Sequence, residues 1–140
     1  MAQSAPLRPA HLSAVALILI LWHGVLAADY LNERFALVAD MPGVMALFPI
    51  GPLWAEVAWA LGVWLGLAGA LFLLFRDDAA VLLMFGAAVA MLAAMGALWS
   101  MLTPEALLAW PLAALIPPLV LLPLAGWLYA RGLKRRGLLF

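Results

Sequence analysis

The chain has 140 residues, 69% of them hydrophobic and 10% charged, and its seven basic side chains balance its seven acidic ones. Soluble domains carry about 25% charged residues, so this composition excludes a water-soluble fold, and a balanced charge offers no field to attract nucleic acid. The chain has no cysteine, which removes disulfides, thiol catalysis and thiolate metal sites together.

Four apolar stretches each reach the roughly 20 residues that a helix needs to cross a hydrocarbon core. The first covers 10–31. Trp22-His23-Gly24 interrupts it, and a thin basic region precedes it, so it reads as a retained span and not as a cleavable leader. The connection that follows, 29–52, is the only long one. Met41, Val44, Met45, Leu47, Phe48 and Ile50 make it too apolar to float free, which predicts a short segment lying in the headgroup region. The second span, 53–75, opens at Gly51-Pro52 and contains Glu56 as its only charge. Arg76-Asp77-Asp78 is long enough only to turn an antiparallel pair, and it supplies an Asp to cap the third span, 79–103. Thr103-Pro104-Glu105 then gives an N-cap, an N1 proline and an acidic first turn, opening a fourth span over 106–130. A basic tail, 131–140, closes the chain. The fold class is therefore all-α, a four-transmembrane-helix bundle forming one domain over 1–140.

Lys and Arg near the span ends set the orientation. Arg8, Arg76, Arg131, Lys134, Arg135 and Arg136 fall on one side, and Arg34 alone falls on the other. By the positive-inside rule both termini are cytoplasmic, as for a multi-pass protein of a bacterial inner membrane. Trp54, Trp99 and Trp110 lie toward the outer interface and Trp127 and Tyr129 toward the inner one, an aromatic belt, while Trp22 and Trp64 fall near mid-membrane.

Small residues mark the packing seams. Gly62, Gly66 and Gly69 stand on one side of the second helix, with the spacing that lets helix backbones approach. Gly86, Ala90, Ala93, Ala94 and Ala97 of the third helix answer them, either as ordinary packing or as a seam for a homo-oligomer or partner. In the fourth span Pro117 and Pro118 release the carbonyls of Ala113 and Ala114, which predicts a kink there.

Polar chemistry is sparse. His23 is the one histidine deep in a span, and the fourth-helix carbonyls freed by proline are its expected hydrogen-bond acceptors; ligation of a pigment is the weaker alternative. Two histidines without cysteine cannot assemble a metal site of the usual nitrogen and sulfur type, and no cofactor motif is present. Asp29, Tyr30, Glu33, Arg34 and Glu56 gather at the outer end of the first two spans and form the candidate polar cluster, either a structural clasp or a proton or cation site. The basic tail reads as an anchor for anionic lipid, or as a docking peptide.

Leu21-Trp22, Ala28-Asp29-Tyr30-Leu31, Phe48-Pro49 and the run Ala58-Trp59-Ala60-Leu61-Gly62-Val63-Trp64-Leu65-Gly66 resemble a family of small four-span inner-membrane proteins of proteobacteria. Those proteins share a DY pair at the end of the first span and a WALGVW-x-G run in the second. The resemblance covers the first half of the chain. It implies four spans, no assigned activity and no transferable site residue; some members bear an automatic sugar-transporter label. The sequence thus leads to a non-catalytic membrane protein, an accessory or interaction subunit whose partners are the bilayer and a membrane protein or a second copy. The alternatives are a small oligomeric sugar or metabolite permease and a pigment- or redox-associated subunit.

Overall fold

The computed structural model describes residues 10–40, 43–48 and 51–140. Arg8 of the N-terminal tail, and Met41, Pro42, Pro49 and Ile50 of the first long connection, lie outside the described residues. The described chain is helical: α1 Ala10–Phe35, α2 Leu53–Leu74, α3 Ala79–Met101, α4 Pro104–Leu108 and α5 Leu112–Arg135. Among the described residues, four helices (α1, α2, α3 and α5) are long and apolar enough to cross a membrane, so the molecule is a multi-pass membrane protein. α1 packs on α2, α2 on α3, and α3 on α5, while α1 and α5 touch only lightly. The start of α1 and the end of α5 meet at one end of the bundle, called proximal here, where His11 Nδ1 and the Tyr129 hydroxyl share a 2.5 Å hydrogen bond. The opposite, distal end carries the long connection and α4.

The helix ends follow from local chemistry. α1 runs four residues past the expected 31, because Asn32, Glu33 and Arg34 carry no helix-breaking geometry. It stops where Ala36 turns to φ 47° and the Asn32 side chain accepts the Val38 N–H at 2.7 Å. α2 ends in a double-bonded C-cap, in which Arg76 N–H donates to Leu73 O and Asp77 N–H to Phe72 O. This motif favours glycine at its left-handed position, yet Arg76 occupies it at φ 65°. Asp77, one residue beyond, accepts the Ala79 N–H at 2.8 Å and caps α3. α5 ends in the same motif with Gly137 at φ 67°, where glycine carries no Cβ penalty.

Two expectations need correction. The fourth span does not begin at 106 and run unbroken. Thr103 caps Ala106 N–H and Pro104 stands in the first turn as expected, but they open only the five residues of α4. Ala109 is extended (ψ 146°) and α5 restarts at Leu112. The cause is Pro111, which has no N–H to donate and biases the residue before it away from helix. Pro117, Pro118 and Pro123 all lie inside α5. The first two sit near its start, beside the exposed Ala113 and Ala114.

The second correction concerns the long connection. Its described part forms one 3-10 turn, Met45–Leu47. Met45 and Phe48 are buried in the bundle's own distal core, with Phe48 against Trp59 at a ring separation of 5.1 Å. The connection is a plug of the helix bundle as well as a surface segment, on which Leu37, Val38 and Leu47 are exposed.

The basic tail is also not a free peptide. Phe140 N–H donates to Arg76 O, and Arg76 Nε–H donates to Leu138 O, each at 3.0 Å. The Arg76 guanidinium lies 4.8 Å from the Phe140 ring centre. Leu139 is buried in the proximal core with Leu12, Leu73 and Leu133. Leu139→Ala should therefore cost about 2 kcal/mol, the low end for emptying a buried leucine site. Phe140→Ala should cost less than about 1 kcal/mol, since that ring is exposed and contributes mainly a cation–π contact. Unfolding in mixed micelles by titration with a denaturing detergent measures both.

Candidate functional site

α2 is the helix through which the polar positions are arranged, and its glycines decide what reaches it. A side chain added at Gly62 would meet Met91 of α3, with its Cε at 3.0 Å and its backbone nitrogen at 3.3 Å. One added at Gly69 would meet Met84 of the same helix, with the backbone nitrogen at 3.1 Å. Gly66 departs from the expected shared seam, because a Cβ there would collide with the His23 ring of α1. Gly62 and Gly69 thus serve α3, while Gly66 serves α1. On α3 the partners are the methionines at least as much as the small residues. Gly86 is half-buried against Leu65, and Ala93 is exposed.

His23 is fully buried. Its Nδ1 donates to the Leu19 carbonyl of its own helix at 2.9 Å. That replaces the expected acceptor on the fourth span. A carbonyl can only accept, so Nδ1 carries the proton. Nε2, Trp22 Nε1 and Trp59 Nε1 are buried without a hydrogen-bond partner among the described residues. The signal for Trp59 was present in the WALGVW run, but an apolar run does not say which of its tryptophans faces inward. Trp59 is fully buried and Trp64 is 40% exposed.

At the distal end the five candidate residues divide into two groups. Arg34 Nη2 and Glu56 Oε2 form an ion pair at 2.6 Å, and the Arg34 guanidinium lies 5.7 Å from the centre of the Tyr30 ring. Tyr30 in turn meets Trp64 edge to face at 6.3 Å. Arg34 stands in the last turn of α1 and Glu56 in the first turn of α2. Each charge is thus at the helix end that favours it, and the pair ties those ends together. Glu33 joins Arg34, Glu56, Met45 and Phe48 around a small polar cleft of about 200 Å³.

Asp29 takes other partners. It is 4% exposed, and its two carboxylate oxygens accept the N–H groups of Val44 and Met45 at 3.0 and 2.8 Å. These are the orphan donors at the start of the 3-10 turn, so Asp29 acts as its N-cap from across the bundle. Gly43 makes this approach possible, since a Cβ there would collide with Asp29 Oδ1. Sequence reasoning placed Asp29 at the right end but could not see that a connection fifteen residues later would fold back onto it.

Among the described residues no group of three or more His, Asp or Glu side chains is placed to hold a metal ion. No known family model, curated protein or solved structure matches the chain.

Hydrogen bonds to a charged acceptor contribute about 1.5–3 kcal/mol each, more than neutral ones. Asp29→Ala should therefore destabilise the bundle by at least about 2 kcal/mol and speed hydrogen exchange at Val44 and Met45. Glu56→Gln breaks a half-exposed ion pair and should cost no more than about 1 kcal/mol. Equal effects of the two substitutions would contradict this division of roles.

Proposed function

We propose that this integral membrane protein is a non-catalytic accessory or interaction subunit of a membrane complex, and that α5 is the span that meets the partner. The observation that carries the reading is the uneven burial of the four spans. Only 17% of the α5 membrane window is buried within the molecule, against 33, 39 and 44% for α1, α2 and α3. Its exposed face presents Ala113, Ala114, Pro117, Leu121, Ala125 and Leu128. Small residues and proline on that face let a second helix approach closely.

Transport is the second reading, and the interior argues against it. A permease needs polar groups free to meet substrate near mid-membrane. The buried polar or charged side chains among the described residues are His23 and Asp29. Asp29 is committed to the distal turn, and His23 is packed against Gly66. A pigment- or redox-associated role would have to run through that same packed imidazole. The resemblance to small inner-membrane proteins and the distribution of basic residues support a bacterial inner membrane with both termini in the cytoplasm.

A photo-crosslinking residue at Leu121 or Leu128 in native membranes should give a protein adduct of defined mass, whereas the same residue at Leu21, on the exposed face of α1, should give only lipid adducts. Lipid adducts at all three positions, together with uptake of a labelled sugar by proteoliposomes, would replace this reading with the permease. Reporter fusions after Asp78 and after Phe140 should read cytoplasmic and a fusion at Val38 periplasmic; the reverse pattern would overturn the assigned orientation.

A further inference from the structure

We infer that the groove between α3 and α5 at the proximal end binds one anionic glycerophospholipid of the adjoining leaflet. The groove has a volume of about 480 Å³ and is lined by Asp78, just ahead of α3, by Val81, Leu82 and Phe85 of α3 and by Trp127 and Lys134 of α5. This lies within the range of about 300–1,000 Å³ found for small-molecule sites.

Its two walls are graded the same way. Positions 82 and 85 of α3 and the cap position 78 fall on one stripe, as do 127, 131 and 134 on α5. Each stripe has charge at the proximal edge and an aromatic ring about 10 Å deeper, seven residues away at 1.5 Å each. Phe85 and Trp127 close the floor at a ring separation of 5.3 Å. Leu82 is 74% exposed and Phe85 45%, so the apolar wall opens sideways to the bilayer, where an acyl chain enters without crossing water.

The end of α5 beside the mouth is cationic, with Arg131, Lys134 and Arg135 within five residues. The Arg131 guanidinium lies 5.5 Å from the centre of the Trp127 ring, which itself lines the groove. Lys134 Nζ is 2.7 Å from Asp78 Oδ2. Asp78 opposes a phosphate and pairs with Lys134, yet Arg131, Arg135 and Arg136 are exposed at the same end. The carboxylate of Asp77 is turned toward the Ala79 N–H. Lys134 is about half exposed, so it can exchange Asp78 for a phosphate oxygen or bind both. The groove thus sorts a lipid by two criteria at once, a chain along Leu82 and Phe85 and a negative headgroup at Arg131 and Lys134.

A basic tail alone would attract any anionic surface; the test must separate that from a shaped site. The full chain is purified in mild detergent, mixed with equal amounts of phosphatidylglycerol and phosphatidylcholine, and examined by native mass spectrometry. The expected result is one phosphatidylglycerol retained per chain, in preference to phosphatidylcholine. Arg131→Gln combined with Lys134→Gln should lower that retention about 25-fold, at roughly fivefold for each basic residue near an anionic surface. Leu82→Trp fills the groove without changing charge and should lower it comparably. Should that variant not fold, brominated phosphatidylglycerol should quench a component of the fluorescence that Trp127→Phe removes, with brominated phosphatidylcholine quenching it less. Equal retention of the two lipids, retention untouched by Leu82→Trp in a folded chain, quenching unaltered by Trp127→Phe, or a second copy of the chain held in place of lipid would each overturn the proposal.

Discussion

Close approach of α2 to both its neighbours is the constraint on which this bundle depends. Between helices in lipid there is no hydrophobic driving force, because acyl chains are as apolar as leucine; van der Waals contact must hold them together. Three glycines of one helix meet that demand in two directions. Gly62 and Gly69 take Met91 and Met84 of α3, and Gly66 takes the ring of His23 from α1. Met84 extends the arrangement, since its sulfur lies 3.0 Å from where a Cβ of Gly126 on α5 would be. One flexible thioether therefore fills space left by glycines of two helices, a use suited to an unbranched, polarizable side chain.

The bundle ends obey the opposite rule. Where helices stop near a membrane, each freed backbone group needs a partner within the protein or the headgroups. Asp29 satisfies the start of the distal turn, Asp77 caps α3, and left-handed residues close α2 and α5. Arg76 occupies a position that glycine would fill more easily, but its side chain meets Leu138 and Phe140 and draws the tail onto the α2–α3 turn. Asp29, Arg34, Glu56, Arg76 and Asp77 thus fasten the ends of the described helices, and α5 is the span least buried within the molecule.

Much of the fold was legible because lipid simplifies it. Span length, the Thr103-Pro104 start, the Arg76-Asp77-Asp78 turn and the gathering of Arg34 and Glu56 at one end all follow from hydropathy, capping and charge. What was not legible depends on direction around a helix or on chain far away in sequence. In an apolar span every face is apolar, so no periodic pattern tells which way His23 or Gly66 points. The sequence pointed to a kink at Pro117 and Pro118, but the helix break falls at Pro111, where the Thr103-capped turn ends. Asp29 looked like a partner for Arg34, but its buried carboxylate instead meets two orphan N–H groups that the sequence does not place.

Alanine substitution at each glycine, followed by unfolding of every variant in the same micelles, tests the central claim most directly. Gly66→Ala and Gly69→Ala should each cost about 1–3 kcal/mol, as overpacking does, with Gly62→Ala at the lower end. Gly24, Gly96 and Gly132, where an added Cβ meets nothing within 4 Å, should accept alanine without loss or with a gain of about 0.5–1 kcal/mol. His23→Ala should restore stability to Gly66→Ala and leave Gly69→Ala unimproved. If Gly66→Ala proves as harmless as Gly96→Ala, α1 is not seated on α2 in this way and the account fails.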